Sequence, residues 1–401
     1  MKIKPIKQFF RALTPPPDKS ITIRAIIMGL LANGTTVIRN PLLSGDTVAA
    51  INAVSVLGAS VDFRGGVLYV TGGKIKSGTI DAQNSATTLR LLAGAIAGSD
   101  ATVTVKGDKS LSSRSMKSLV SALRQMGADI RGDKPPVTIM GSKLSGIDFV
   151  PDKPSAQIKS AVLLAGLFAS GQTTVKEKIK TRVHTEDMLM DFGADVKIED
   201  GIIKLQPSEL VATEIDVPGD ISSAAYPIVL ALRKGYCFVK NVGTSRWELI
   251  DFLLSIGADI EIERIGKAAN LTVNKSTLRP FSISGELTTA LIDELPLLAV
   301  LASTIDGESF IKDASALRNK ECDRIKHTVS NLCSMGVDIV ELDDGFKIRG
   351  GEIKGGNAIT MGDHRIAMSM AVANALSTGG GTVDDEKCVE ISYPSFWELL
   401  I

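Results

Sequence analysis

Residues 154–178, PSAQIKSAVLLAGLFASGQTTVKEK, show the pattern that decides the fold. A polar start near Ser155 leads into a mostly apolar run, which ends at Gly171 before a short β-like run. This order predicts a helix that stops at a glycine and passes into a strand. The same order occurs six times, and its openings recur every 65 to 71 residues, at Ser20, Ser85, Ser155, Ser222, Asp293 and His364. We therefore interpret the chain as about six copies of one α/β unit.

The two predicted helices of each copy differ in how their apolar residues are distributed. The first helix, as in residues 89–98 and 365–376, is apolar on nearly every side, which indicates burial all round. The second helix, as in residues 115–128, has charged residues between apolar residues at helical spacing and is typical of a half-exposed helix. A copy with one fully buried helix needs neighbours, so three or more copies must surround a shared core with their sheets outward. Six copies then divide into two lobes of three.

A Pro-Gly turn signal marks the predicted boundary between the lobes. Residues 217–220 read VPGD and lie between the third and fourth copies. We expect one lobe to hold the first three copies, in residues 18–218. The other lobe is expected to hold the last three copies, in residues 219–401, together with an N-terminal strand from residues 1–17.

Composition argues against several classes of protein. The 401 residues include 45 basic and 45 acidic side chains, so no net charge favours nucleic acid or an anionic membrane. The four cysteines form no C-x-x-C pair, and a reducing cytoplasm is the simplest setting. The N-terminal segment lacks the apolar run of a signal peptide, and apolar runs elsewhere reach about half a membrane span. We expect a cytoplasmic monomer that binds neither membrane nor nucleic acid.

Several helix openings carry cations where the helix dipole disfavours them. Lys19, Arg24, Arg90 and Arg365 lie at or near the starts of predicted buried helices. Ordinary capping explains the Ser, Asp and Asn residues at these openings, but it does not explain the cations. A bound phosphate or carboxylate would reverse the sign of the interaction, because helix N-termini and basic side chains together attract anions. The repeated register predicts a shared anion-binding cleft between the lobes, although accident would explain any one position.

Three further segments place cations ahead of predicted outer helices, at Arg114 in residues 109–117, Arg182 in residues 181–187, and Lys320 with Arg324 in residues 319–327. In the last segment, the spacing of Lys320, Glu321 and Arg324 predicts two cations on one helical face with a carboxylate close by. An exposed basic rim is the alternative explanation for each segment.

Nine motifs, in order along the chain, resemble those of the enolpyruvyl transferase family. They are DKSITIR at 18–24, NSATTLRLLAG at 84–94, SLSSRSMK at 110–117, PSAQIKSAVLLAGL at 154–167, TRVHTE at 181–186, VPGDISSAAY at 217–226, LIDELPLLAV at 291–300, NKECDRI at 319–325 and GDHRIAM at 362–368. Because the matches extend over all six copies, they are far more specific than a lone glycine loop. The resemblance implies a two-lobe, inside-out α/β barrel of βαβαββ-type copies. It also implies an active site in the cleft between the lobes, and no metal or organic cofactor.

The resemblance further implies an activity and a set of site residues. The implied reaction moves the enolpyruvyl group of phosphoenolpyruvate onto the 5-hydroxyl of shikimate 3-phosphate and releases phosphate. By position, the implied contacts to shikimate 3-phosphate are Lys19, Ser20, Arg24, Ser155, Ala156, Gln157, Arg182, Asp293 and Lys320. The implied contacts to phosphoenolpyruvate are Lys19, Ala86, Arg114, Gln157, Arg324 and Arg365. Asp293 matches the family's proton acceptor for the 5-hydroxyl, and Glu321 and Lys19 match groups that transfer protons at the methylene carbon.

Three positions depart from the family's usual pattern. Ala86 stands where many relatives have glycine. Its methyl group predicts reduced sensitivity to glyphosate, an inhibitor of the family that is bulkier than phosphoenolpyruvate. Ile391 stands where some relatives carry a lysine, so no cation is assigned there. Ser115 follows Arg114 where proline is usual, which should alter only the stiffness of the loop.

Two other functions stay open at this point. UDP-N-acetylglucosamine enolpyruvyl transferase shares the fold and the donor, but it usually has asparagine after its N-terminal lysine and a reactive cysteine in its first lobe. Here Ser20 follows Lys19, and all four cysteines lie after residue 236. A non-enzymatic repeat module, such as a nucleic-acid clamp, would need an open basic surface and aromatic side chains for stacking. The zero net charge and 4% aromatic content oppose that function.

Overall fold

The computed structural model describes residues 1–401, which form two compact units. The continuous unit is Pro17–Val217, and the split unit combines Met1–Pro16 with Pro218–Ile401. No helix in either unit has both the length and the apolar composition that a membrane span requires.

Helices and short strands alternate along the whole chain. The α-helices are α1 (Lys19–Leu31), α2 (Gly45–Val56), α3 (Ala86–Ala97), α4 (Lys109–Ser113), α5 (Lys117–Gln125), α6 (Ala156–Gly166), α7 (His184–Asp191), α8 (Ile221–Lys234), α9 (Glu248–Ser255), α10 (Gly285–Ala290), α11 (Leu295–Ser303), α12 (Arg324–Ser334) and α13 (His364–Leu376). Three 3₁₀ helices are Ser315–Asn319, Lys387–Ile391 and Phe396–Leu400. The strands are β1 (Lys2–Ile3), β2 (Phe9–Leu13), β3 (Thr35–Arg39), β4 (Ser60–Arg64), β5 (Val67–Thr71), β6 (Gly78–Asp81), β7 (Thr102–Lys106), β8 (Asp129–Arg131), β9 (Val137–Met140), β10 (Asp148–Phe149), β11 (Thr173–Lys176), β12 (Val196–Glu199), β13 (Ile202–Leu205), β14 (Glu214–Asp216), β15 (Gly235–Gly243), β16 (Asp259–Ile265), β17 (Ala268–Asn274), β18 (Ser282–Ile283), β19 (Glu308–Ile311), β20 (Asp338–Leu342), β21 (Gly345–Arg349), β22 (Asn357–Ala358) and β23 (Gly381–Val383).

One topology recurs in five four-stranded sheets, whose strand orders are β6-β7-β9-β8, β10-β11-β13-β12, β14-β3-β5-β4, β16-β17-β15-β2 and β18-β19-β21-β20. In the second of these sheets, β10 lies parallel to β11, the strand that follows α6. The hairpin strand β13 then pairs antiparallel with both β11 and β12. The order along the chain is therefore β-α-β-α-β-β, as the sequence predicted.

Two sheets take their first strand from a distant segment, and the last copy is short. At the end of the continuous unit, β14 lies parallel to β3, while β2 from the N-terminus lies parallel to β15. The sixth sheet has only three strands, in the order β1-β23-β22. After β23, two 3₁₀ helices stand where the other copies have a second helix and a hairpin. The sixth copy is therefore incomplete.

The cores of the two units are formed by six helices, α1, α3, α6, α8, α11 and α13. Their burial confirms the prediction that the first helix of each copy is buried. In the continuous unit α3 packs against α1 and α6, and in the split unit α8, α11 and α13 pack against one another. Every residue of α11 and α13 is buried. Strands such as β7 alternate buried and more exposed residues, so one face of the sheet packs on the helices while the other faces solvent. Polar groups of the buried helices are thereby confined mainly to the helix ends.

A glycine permits the close approach of α3 and α6. A Cβ atom at Gly94 would lie 2.1 Å from the carbonyl oxygen of Ala161 on α6. Because this distance is far below van der Waals contact and the neighbour is backbone, any side chain at Gly94 would push the helices apart.

Gly94→Ala should therefore lower the midpoint of urea unfolding, since overpacking a core costs about 1–3 kcal/mol. Gly45→Ala is the matched control, because Gly45 begins α2 and a Cβ there meets no atom within 4 Å. Circular dichroism across a urea titration measures both midpoints. Equal midpoints for the two variants would contradict the close packing of α3 and α6.

Candidate active site

The first predicted site residues lie at the start of α1. Asp18 caps this helix, and its side chain accepts a hydrogen bond from the backbone N–H of Ile21 at 2.8 Å. Lys19 and Ser20 therefore occupy the first turn, where backbone N–H groups and the helix dipole attract anions. The Nζ of Lys19 lies 2.9 Å from Asp46 Oδ2, so the first turn of α2 balances the charge of this lysine.

Arg24 is buried one turn further along α1, and neutral groups hold its guanidinium. Its Nε donates to Thr185 Oγ1 at 2.8 Å, and its Nη2 donates to Ser160 Oγ at 3.1 Å. Its Nη1 donates to the carbonyl oxygen of Ser20 at 3.0 Å. These hydrogen bonds join α1 to α6 and α7, so the position of the guanidinium depends on three helices.

The positive charge of Arg24 is poorly compensated, because its hydrogen-bond partners include no carboxylate. Burial lowers the pKa of Arg24 to about 10, against the opposing effects of Asp18 and Glu186. The charge of Arg182 lowers it further. Arg182 therefore lies close enough to act on Arg24, and an anion bound near both cations would stabilise them.

The starts of α3 and α6 are joined through Gln157. Its Nε2 donates to Thr87 Oγ1 at 2.8 Å, and its Oε1 accepts a hydrogen bond from Arg90. Ser155 caps α6 by accepting the backbone N–H of Ile158 at 3.4 Å. Arg90, one of the unexplained cations in the sequence, therefore orients the amide of Gln157.

Arg114 approaches the start of α3 from the short helix α4. It is the C-cap residue of α4, and its Nη2 donates to Asn84 Oδ1 at 3.1 Å and to Ser110 Oγ at 3.3 Å. Asn84 directly precedes Ser85, the N-cap of α3, and Ala86 is the first residue of that helix. The structure therefore places Arg114 beside the turn that carries Ala86.

Nine predicted site residues thus lie in the continuous unit, at helix starts or in the segments ahead of α5 and α7: Lys19, Ser20, Arg24, Ala86, Arg114, Ser155, Ala156, Gln157 and Arg182. The structure places Arg182 where its charge lowers the pKa of Arg24, and it links Gln157 to the start of α3. Lys19 instead contacts Asp46, a residue that no sequence motif indicated.

In the split unit, three carboxylates surround the buried guanidinium of Arg324. Its Nε donates to Asp363 Oδ2 at 2.8 Å, and its Nη2 donates to Glu321 Oε2 at 2.6 Å. Its Nη1 lies 3.4 Å from Asp293 Oδ1, and the Nζ of Lys320 lies 3.5 Å from the same oxygen. Burial alone would lower the pKa of Arg324, but the three carboxylates raise it well above its usual value.

Arg365 lies in the first turn of α13 and is also buried. Asp363 caps this helix by accepting the backbone N–H of Arg365 at 2.8 Å. The Nη1 of Arg365 lies 3.9 Å from Glu294 Oε1. Burial alone would lower the pKa of Arg365, but Tyr226, Asp293 and Glu294 raise it above its usual value. Arg365 therefore belongs to the same charged cluster as Arg324.

The split unit thus gathers five predicted site residues: Asp293, Lys320, Glu321, Arg324 and Arg365. Cations in this cluster can bind an anion, and the adjacent carboxylates can exchange protons with it. No set of three His, Cys, Asp or Glu side chains is grouped so that it could hold a metal ion.

Two local predictions in the split unit are wrong. Asp293 does not begin or cap a buried helix, because α11 begins at Leu295 and Glu294 occupies its N-cap position. Lys320 does not share a helical face with Arg324, because it precedes the start of α12, although the expected carboxylate of Glu321 does lie beside Arg324. Asp323 sets that start by accepting the backbone N–H of Lys326 at 3.0 Å. Capping therefore does not explain why an aspartate occupies position 293.

A buried ion pair beside Asp293 was missed by the sequence analysis. The Nη2 of Arg246 donates to both carboxylate oxygens of Glu294, at 2.9 and 3.0 Å, and its Nη1 donates to Ser222 Oγ at 2.8 Å. Ser222 in turn donates to Glu294. Because Glu294 directly follows Asp293, this network holds the segment that carries Asp293. The only sequence feature that pointed to Glu294 was its position as a second acidic residue directly ahead of an apolar run.

Comparison with known proteins finds similarity along nearly the whole chain. The family model for EPSP synthase (3-phosphoshikimate 1-carboxyvinyltransferase) matches residues 3–400. A curated 3-phosphoshikimate 1-carboxyvinyltransferase from Thermodesulfovibrio yellowstonii is 39% identical over 99% of this chain and 98% of its own length. A solved structure of EPSP synthase from Acinetobacter baumannii has a TM-score of 0.86 at 36% identity, covering 99% of this chain and 96% of that one. The enolpyruvyl transferase NikO from Streptomyces tendae has a TM-score of 0.82 at 16% identity, covering 100% of this chain and 96% of its own, and shows likeness of fold alone.

The thiol of Cys322 should report on the charged cluster. Its Sγ lies 3.6 Å from Asp363 Oδ2, and burial together with this carboxylate raises the pKa of the thiol above its usual value. A raised pKa leaves less of the reactive thiolate at a given pH. At pH 8, iodoacetamide should therefore alkylate Cys322 at least about tenfold more slowly than the exposed Cys333. Mass spectrometry of peptides after timed quenching measures both rates.

Protein unfolded in guanidinium chloride is the control for this experiment, because both thiols should react at similar rates there. Equal rates for Cys322 and Cys333 in the folded protein would contradict the placement of Cys322 against Asp363.

Proposed function

The chain belongs to the EPSP synthase family, and we propose that it transfers the enolpyruvyl group of phosphoenolpyruvate to the 5-hydroxyl of shikimate 3-phosphate, releasing phosphate. The observation that carries the proposal is the family match over nearly the whole chain. The cations at helix starts in both units add to it, because two phosphorylated carboxylates require concentrated positive charge. Since the chain has no net charge, that concentration is local rather than general.

Each substrate is assigned to residues from both units, so both units are proposed to contribute to binding. Shikimate 3-phosphate is assigned to Lys19, Ser20, Arg24, Ser155, Ala156, Gln157, Arg182, Asp293 and Lys320. Phosphoenolpyruvate is assigned to Lys19, Ala86, Arg114, Gln157, Arg324 and Arg365. The lowered pKa of Arg24 supports the first assignment, because a poorly compensated guanidinium gains most from a phosphate dianion.

The proposed reaction adds the acceptor to the donor and then eliminates phosphate. In the addition step, the 5-hydroxyl oxygen bonds to C2 of phosphoenolpyruvate and loses its proton to Asp293. The methylene carbon C3 gains a proton from Lys19 or Glu321 and becomes a methyl group. In the elimination step, the bond between C2 and the phosphate oxygen breaks as a methyl proton returns to the group that donated it, which restores the double bond.

The contacts of Asp293 support its role as the proton acceptor. Its Oδ1 lies near Arg324, which is assigned to phosphoenolpyruvate, and near Lys320, which is assigned to shikimate 3-phosphate. The carboxylate of Asp293 therefore contacts two cations, one proposed to bind each substrate. Glu321 accepts a hydrogen bond from a different nitrogen of the same guanidinium, so a second acid–base group contacts Arg324.

The alternative acceptor UDP-N-acetylglucosamine is not favoured, because the curated relative and the matching family model carry the name 3-phosphoshikimate 1-carboxyvinyltransferase. The cytoplasmic location, the monomeric state and the lack of nucleic-acid binding stay predictions.

Phosphate release distinguishes the two acceptors directly. With phosphoenolpyruvate present, shikimate 3-phosphate should give continuous phosphate release, whereas UDP-N-acetylglucosamine should give none above the background without acceptor. A malachite-green assay measures both reactions. Release with UDP-N-acetylglucosamine alone would overturn the proposed function.

Asp293→Asn and Lys19→Met should each lower the turnover number by about 10²- to 10⁴-fold, the range for loss of a positioned acid or base. Asp62→Asn and Lys74→Met are matched controls, because both side chains are exposed and neither is assigned to the site. Steady-state rates at saturating substrate measure the effect. Near-normal turnover of the first two variants would remove their assignments to proton transfer.

Ala86→Gly should make the enzyme more sensitive to glyphosate, because removing the methyl group widens the pocket beside the start of α3. The concentration that halves activity should fall by about tenfold, the effect of one carbon group in a tight pocket. The KM for phosphoenolpyruvate serves as the control for general damage to the donor site. Unchanged inhibition would refute the role assigned to this methyl group.

A further inference from the structure

A lysine is buried at the end of the first turn of the apolar helix α6. Lys159 has 0% of its surface exposed. Its Nζ lies 2.8 Å from Glu177 Oε2 and 2.6 Å from Glu186 Oε1, and it donates to the carbonyl oxygen of Thr181 at 3.5 Å. Burying an ammonium group destabilises the folded protein unless carboxylates compensate its charge. The burial of Lys159 therefore depends on Glu177 and Glu186.

The fold itself does not require a lysine at this position. Lys159 lies four residues after the N-cap of its helix. The corresponding residues of the other five buried helices are neutral: Thr22 in α1, Leu89 in α3, Ala224 in α8, Leu298 in α11 and Ala367 in α13. The same packing position accepts threonine, leucine or alanine in the other copies. The positive charge of Lys159 therefore has a role that is specific to the third copy.

The groups that Lys159 contacts bracket Arg182 in the sequence. Glu177 follows β11 and accepts the backbone N–H of Thr181 at 3.3 Å, and it also accepts the hydroxyl of Thr181. Thr181 directly precedes Arg182, and Glu186 lies one turn beyond it in α7. The segment between β11 and α7 has no helix or strand of its own, so these contacts fix its path.

The same cluster adjoins the hydrogen bonds of Arg24. Thr185, the neighbour of Glu186, accepts from Arg24 Nε at 2.8 Å. Thr185 Oγ1 also shares a hydrogen bond of 2.6 Å with the hydroxyl of Ser160, the neighbour of Lys159. A displacement of Glu186 would therefore shift the groups that hold Arg24 as well as the segment that carries Arg182.

We propose that Lys159 is a positioning residue for the phosphate of the acceptor: its buried ammonium ties Glu177, Thr181 and Glu186 together so that Arg182 and Arg24 face one anion. This role rests on the proposed function, because it concerns the 3-phosphate of shikimate 3-phosphate. Lys159 itself, with no exposed surface, does not touch the substrate.

Removing the ammonium should weaken acceptor binding more than it slows the reaction. In Lys159→Met, the Kd for shikimate 3-phosphate from isothermal titration calorimetry should rise by about tenfold or more, as for a lost charge-assisted contact. The turnover number at saturating acceptor and the KM for phosphoenolpyruvate should change less than about threefold, because their groups are not displaced. Lys178→Met, which removes an exposed lysine from the same segment, is the matched control and should leave the Kd nearly unchanged.

A double-mutant cycle separates positioning from general damage. If Lys159 acts mainly through Arg182, then Lys159→Met should change the Kd by less than about threefold when Arg182 is already alanine. The same fold-change in both backgrounds would overturn the proposal, because it would show that Lys159 acts independently of Arg182.

Lys159→Met leaves two buried carboxylates without their cation, and this alone threatens folding. The triple variant Lys159→Met, Glu177→Gln, Glu186→Gln removes the three charges together. If the single variant unfolds, the Kd of the triple variant is measured in its place. The triple variant should fold and bind shikimate 3-phosphate about as weakly as the single variant. A folded triple variant with the parent's Kd would also overturn the proposal. A parent chain that neither binds nor turns over shikimate 3-phosphate would instead refute the proposed function, and this role with it.

Discussion

The burial of six helices on nearly all sides is the constraint on which the rest of the structure depends. A helix without a polar face cannot lie on a surface, so each one is enclosed by neighbouring helices and by sheets whose outer faces meet solvent. Charged groups are then excluded from most of each helix and collect at its start, where capping residues and backbone N–H groups already favour anions. The burial of these helices therefore forms the cores and also concentrates the anion-binding groups at the helix starts.

The two units treat their buried arginines in opposite ways. In the continuous unit, neutral hydroxyl and carbonyl groups hold Arg24, and its pKa is lowered. In the split unit, carboxylates surround Arg324, and its pKa is raised. The first arrangement leaves the charge of Arg24 available to a phosphate, whereas the second places acid–base groups beside a guanidinium whose charge carboxylates already compensate. This contrast agrees with the proposal that Arg24 binds the acceptor's phosphate and that Asp293 accepts the acceptor's proton.

The sequence predicted the repeated fold and the helix starts because their signals are local. Capping residues, apolar runs and glycine stops recur within each copy, and each is read from a short window. Asp293 was predicted at a helix start and Lys320 on a helical face, because acidic and basic residues before an apolar run resemble a helix start. In the structure, Glu294 and Asp323 hold the N-cap positions instead.

The buried ion pairs could not be predicted in the same way. Arg246 pairs with Glu294 across 48 residues, and Lys159 pairs with Glu177 across 18. Such partners are chosen by tertiary packing, and a single lysine within an apolar run gives no sign of the carboxylates that it meets. The family resemblance named the substrate contacts, but not the residues that hold those contacts in position.

A crystal structure with shikimate 3-phosphate bound would test the central claim most directly, that cations at the starts of buried helices receive the substrate's anionic groups. The account predicts that the 3-phosphate oxygens contact Arg24 and Arg182, with the 5-hydroxyl directed at Asp293. A ligand whose phosphate binds elsewhere, while Arg24 keeps only its hydrogen bonds to Ser20, Ser160 and Thr185, would contradict it.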